Sequence, residues 1–170
     1  MTTCPQPDPP FIPRDLWRMP GPLGPPMPDP RVRTLFLHHS VTTVSDDPCA
    51  DARRAAAVGV QRFGRTSYSY FLHPSGVVLE AQGNHVGAHT SGWNTKAKAL
   101  CLLGNYEQTI PSDELIRSTC WLVWVLRAFG GTVQAPALMP HTAVRSTACP
   151  GRHAVERVLP FALAVARDPQ

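Results

Sequence analysis

The decapeptide RVRTLFLHHS, residues 31–40, constrains the fold more than any other stretch of the chain. Both of its alternating sets are apolar, Val32 and Phe36 on one side and Leu35 and Leu37 on the other. A strand with two apolar faces belongs in the middle of a sheet that is covered on both sides. The segments that follow can supply the covers. Asp47 and Pro48 offer an N-cap and a first-turn proline for a helix running to about Phe63. SYSYFLHPSGVVLEAQG reads as two strands joined by a turn at Pro74-Ser75-Gly76. ALCLLGNY, residues 99–106, reads as a further short buried strand. Ser112 caps a long, largely apolar helix that stops at Gly130-Gly131. A loop carrying LMPHTAVRSTACPG comes next, then a last helix from about Arg152 that Pro160 should disturb. The expected class is therefore α/β, a mainly mixed central sheet flanked by helices.

Residues 1–30 hold a dense share of the 19 prolines. Such a run cannot enter helix or sheet interiors and should lie extended over the domain formed by residues 31–170. Phe11, Ile12 and Trp17 are its apolar anchors. At 170 residues one core suffices. No window holds the ~18 apolar residues a membrane span needs, and no basic-then-apolar leader is read at the start. The net charge of +4 favours an anionic partner: nucleic acid, a membrane surface or an acidic wall polymer. The basic residues, nearly all arginine, are scattered, and the missing basic stripe argues against nucleic acid.

Five cysteines at irregular spacing give no disulfide framework. Cys101 and Cys120 sit in apolar runs and read as small core residues. Cys149 is flanked by turn-formers instead. Of the seven histidines, His73 before a turn and His153 at a helix start read as solvated polar residues. His38 ends the central strand, and His141 stands eight positions before Cys149 in a loop. A catalytic zinc needs about three protein ligands and one open position, and a His/His/Cys set meets that need. A structural zinc would want a fourth ligand, and His39 points to the face opposite His38.

The segments TLFLHHSVTT, SYSYFLHPSGVVLEAQG, HVGAHTSGWNTKAKALCLLGNY and MPHTAVRSTACPG occur together in an order and spacing that resemble one family. They are similar to the zinc-dependent N-acetylmuramoyl-L-alanine amidases of the type-2 class, which include bacteriophage lytic amidases and animal peptidoglycan recognition proteins. PRDLW near the start resembles a segment of the recognition-protein branch. The likeness runs from about residue 12 to residue 160 and is strongest to a phage endolysin amidase domain.

The resemblance implies the peptidoglycan-recognition fold and one zinc ion per chain, with His38, His141 and Cys149 as ligands. Tyr68 matches the active-site tyrosine and Thr147 a position that is lysine or threonine in relatives. His89 and Asn94 match groove residues that approach substrate. The chain departs from the family pattern at Ser67, where a glycine is usual, at PHTA around His141, and at AKAL before the LGNY strand. The implied reaction is hydrolysis of the amide between N-acetylmuramic acid and L-alanine in bacterial peptidoglycan. Tyr68 would donate to the oxyanion, and Thr147 would hold the water or the oxyanion. A general base is left unassigned: Cys101 stands where some relatives carry glutamate, and Glu80 has a structural or groove role. The alternative is a non-catalytic peptidoglycan-binding module, from which retention of Cys149 distinguishes it. The expected setting is a monomer made in a host cytoplasm and released to the wall by a separate permeabilising protein, without membrane insertion.

Overall fold

A computed structural model describes residues 9–167. The first eight residues of the proline-rich arm, with Cys4, lie outside the described residues. The elements run β1 (Phe11–Ile12), β2 (Val32–His39), α1 (Pro48–Phe63), β3 (Tyr70–Leu72), β4 (Val78–Glu80), β5 (Ala97–Leu102), α2 (Asp113–Ala128), β6 (Thr132–Pro140), a 3₁₀ turn (His141–Ala143), α3 (Arg152–Arg157) and α4 (Leu159–Arg167). The six strands form one sheet in the order β1-β4-β3-β5-β2-β6. All pairings are parallel except the β3–β4 hairpin.

The mixed α/β sheet is as expected, with β2 between β5 and β6 and buried along most of its length. On one face Leu35, Leu37, Leu72, Leu100 and Leu102 pack with α2 and α4 residues such as Leu122, Val123 and Ala162. On the other, Phe71, Leu79, Cys101 and Leu103 pack with Trp17 and with the alanines of α1, Ala52, Ala55 and Ala56. Alanine on that helix face lets it lie close to the sheet. Val32 joins the Leu35/Leu37 cluster rather than siding with Phe36, because the β2–β6 register shifts between Val32 and Thr34.

Residues 131–140 correct the expected loop. Thr132–Pro140 is a strand paired with β2. Pro136 and Pro140 are tolerated because β6 is an edge strand, where a missing N–H costs no ladder bond. Ala135 at φ 49° takes up the irregularity.

His73 also departs from expectation: it is buried, not solvated. Its Nε2 lies 3.1 Å from the Ser45 carbonyl and 3.3 Å from Asp51 Oδ2, and its Nδ1 lies 2.7 Å from Ser75 Oγ. Asp51, buried in the first turn of α1, supplies the partner that makes this burial tolerable. His153 is half-buried at the start of α3, 3.8 Å from Glu156.

From residue 9 onward the arm lies along the sheet. β1 pairs with β4, the buried Trp17 indole donates to the Glu80 carbonyl at 2.7 Å, and Arg14 pairs with the Glu80 carboxylate. Glu80 therefore spends its carboxylate on the arm. Lys98 is fully buried, its ammonium donating to the carbonyls of Pro30 and Gly131 at 2.8 Å each.

Candidate metal centre and its surroundings

The parallel register sets His38 opposite Cys101, so both side chains rise on the α1 face of the sheet. α1 covers Cys101 and Phe71 but leaves the β2 end of that face to the segment of residues 85–97. There Phe36 meets Trp93 edge-on, with ring centroids 5.3 Å apart, and also contacts His38 and His89. His38 is thereby seated on a rigid strand end with an aromatic floor.

The 3₁₀ turn and the loop behind it bring in the other two residues. Thr142 N donates to the Cys149 carbonyl at 3.1 Å, closing the loop between His141 and Cys149. Gly151 follows at φ 93°, and a side chain there would collide with the backbone of Tyr106 and Glu107. Only glycine lets the loop lie against that segment, which His153 N and Arg152 N then grip by donating to Tyr106 O and Glu107 Oε2. Arg145 ties the outer side down by donating to the Ser91 carbonyl at 2.8 Å.

The result is that one ligand atom each of His38, His141 and Cys149 lie within 4.8 Å of one another. Cys149 Sγ is 3.5 Å from His38 Nδ1 and accepts from the His39 backbone N–H at 3.4 Å. The His38 and His141 rings are 4.4 Å apart between centroids. Such a set can hold a metal ion with a coordination position left open. His39 turns the other way, its Nδ1 accepting from Tyr106 N.

The electrostatics are those of a site out of water. Burial holds His38 well below the ordinary histidine range, with His89 and His141 adding to the effect. His141 is lowered by burial and by Arg145. Burial pushes the Cys149 thiol up to about 11, against the His39 N–H, which favours thiolate. Both imidazoles are thus in the neutral form a metal requires, while the thiol must give up its proton.

Tyr68 packs beside His38, ring centroids 5.3 Å apart, and is partly buried among residues that include Cys101 and Phe71. Burial first, then the two cysteines, keep the phenol protonated far above neutral pH. Thr147 is exposed and its Oγ1 accepts from Cys149 N at 3.2 Å. Asn94 Oδ1 accepts from the backbone N–H groups of both His89 and Thr90 at 2.9 Å. The His89 ring is 8 % exposed, with Nε2 3.2 Å from the Ala97 carbonyl and Nδ1 3.0 Å from Thr90 Oγ1. Both of its nitrogens are engaged within the chain. Burial pushes His89 down to about 4 despite the Ala97 carbonyl. Thr90, whose Oγ1 is also 3.2 Å from His38 Nε2, does not stand out in the sequence, though it lies beside His89 in AHTSGWN.

One cavity borders the centre and another lies toward the far end of β2. The first, of about 200 Å³, lies beside Tyr68 and His89 and reaches Ser40, Gly59 and Arg62 of the α1 side. The other, about 710 Å³, follows the floor past Trp93 and Thr34 to Arg31, Arg33 and Lys96.

The family model described as N-acetylmuramoyl-L-alanine amidase matches residues 28–152. A human N-acetylmuramoyl-L-alanine amidase is 31% identical over 128 residues, which cover 69% of this chain and 22% of that protein. This chain thus spans about a fifth of that relative's length. A peptidoglycan-recognition protein of Drosophila simulans is 25% identical over 154 residues, 84% of this chain and 82% of that one. The solved structure of bumblebee PGRP-SA superposes with a TM-score of 0.81 at 22% identity, covering 95% of this chain and 99% of that one.

Proposed function

The chain belongs to the N-acetylmuramoyl-L-alanine amidase family, and from that premise we propose that it hydrolyses the amide between N-acetylmuramic acid and L-alanine in bacterial peptidoglycan with one zinc ion. The observation that carries the reading is the convergence of His38, His141 and Cys149 beside the Tyr68 ring. The donor set suits zinc. Bonds of ~2.0–2.1 Å to nitrogen and ~2.3 Å to sulfur at a tetrahedral angle set two donors about 3.5 Å apart, and His38 Nδ1 and Cys149 Sγ are 3.5 Å apart.

When bound, zinc supplies Lewis acidity, polarising a carbonyl and bringing the pKa of water down to ~7. The chain's own residues do the rest. Tyr68, kept protonated by burial, donates a hydrogen bond to the oxyanion that develops on the substrate carbonyl. Thr147, on the open side of the loop, offers a hydroxyl to the water or the oxyanion. His89 and Asn94 act through the wall they build rather than through free ring nitrogens. Among the described residues no carboxylate bonds to the three ligands, and Cys101, burial-raised and neutral, cannot serve as a base at neutral pH. The phage-lysin setting belongs to the same proposal and rests on the likeness of the motifs.

The test measures zinc content and stem-peptide release from purified peptidoglycan for the parent, Cys149→Ala and Tyr68→Phe. The parent should hold one zinc and cleave, Cys149→Ala should lose both, and Tyr68→Phe should keep zinc while losing ~10²–10³ in kcat. Zinc without cleavage of any peptidoglycan would leave a binding module. A parent without zinc would overturn the reading.

A further inference from the structure

We propose that Thr90 is a positioning residue that fixes which nitrogen of His38 faces the metal, through a hydrogen-bond relay anchored on the Ala97 carbonyl. The inference rests on the reading of His38 as a ligand, but its logic is the polarity of three hydrogen bonds. A peptide carbonyl only accepts, so His89 Nε2, 3.2 Å from Ala97 O, must donate. A neutral imidazole carries one proton, which leaves His89 Nδ1 an acceptor. Thr90 Oγ1, 3.0 Å away, therefore gives its only proton to His89. What remains on that oxygen is lone pairs, and these face His38 Nε2 at 3.2 Å. His38 is accordingly protonated on Nε2, and its bare Nδ1 is the atom 3.5 Å from Cys149 Sγ. Direction passes from a backbone carbonyl to the ligand without a carboxylate.

The relay has little freedom to run backwards. Thr90 is 1 % exposed, its N–H is held by Asn94 Oδ1, and its carbonyl accepts from Trp93 N. Its β-branch further limits the rotamers that could carry the hydroxyl away from either ring. Outer partners of this kind commonly tune metal affinity by ~10–100-fold.

The experiment compares the parent, Thr90→Val and Thr90→Ser. Long-range ¹H–¹⁵N correlation spectra of the metal-free proteins report the His38 tautomer, and competition with a chromophoric chelator reports zinc Kd. Parent and Thr90→Ser should show the Nε2–H form. Thr90→Val should show a mixture of tautomers and bind zinc ~10–100-fold more weakly. An Nδ1–H tautomer in the parent overturns the relay by itself, even if the valine variant does not fold. A folded Thr90→Val with parental tautomer and Kd overturns it too. If the parent shows Nε2–H but takes up no zinc, the relay stands as hydrogen-bond polarity and the amidase reading fails separately.

Discussion

A histidine folded away from water resists protonation, and that resistance makes stability depend on pH. His89 is pushed down to about 4 by burial, opposed by the Ala97 carbonyl, and His38 is also held well below its ordinary value of 6.5. Both folded-state values are depressed, so between 6.5 and about 4 the unfolded chain takes up protons that the folded chain refuses. Stability is full above the unfolded value and is lost as pH falls through this window. The slope is at most ~1.4 kcal/mol per pH unit for each such group. Urea unfolding of the metal-free protein should show a clearly lower midpoint at pH 5 than at pH 7.5. An unchanged midpoint would mean that these rings are hydrated in the folded state.

At the level of elements, α1 shows what local chemistry can specify. Asp47 accepts from Ala50 N at 3.0 Å, Pro48 opens the first turn, and Gly64 closes the last one at φ 75°. Start and stop are both written in residue types, which makes the helix legible. Asp47→Ala should therefore cost ~1 kcal/mol, read as a shift in the urea midpoint with unchanged slope. β6 is not legible in the same way. Its two prolines and the break in alternation at Ala135 conceal a strand whose partner is a hundred residues earlier. The site divides likewise. The three candidate ligands can be named because imidazole and thiol are chemically distinctive, and MPHTAVRSTACPG keeps two of them together. Thr90 cannot, because its importance comes from a hydrogen bond to a residue 52 positions away. His73 defies its local context for a similar reason, since its buried partner Asp51 lies on another element.

The whole molecule is held together partly from its beginning. Trp17 is fully buried in the cluster under α1, bonded to Glu80 O and receiving Arg53 on its carbonyl. Trp17→Ala should destabilise the fold by ~3–5 kcal/mol, measured by equilibrium unfolding. A cost below ~1 kcal/mol would show that the arm merely rests on the sheet. The closure of Lys98 over Pro30 and Gly131 has a practical corollary. The chain has two lysines, Lys96 and Lys98. With Lys98 sealed inside, Lys96 is the side-chain amine left in water, stacked on Trp93 at 4.8 Å. A lysine-directed tether would therefore find one exposed lysine side chain, against the rim of the larger cavity. Immobilised that way, the molecule would turn the rim of that cavity toward the support, so a surface display that keeps the cavity open is better built through an engineered attachment point elsewhere.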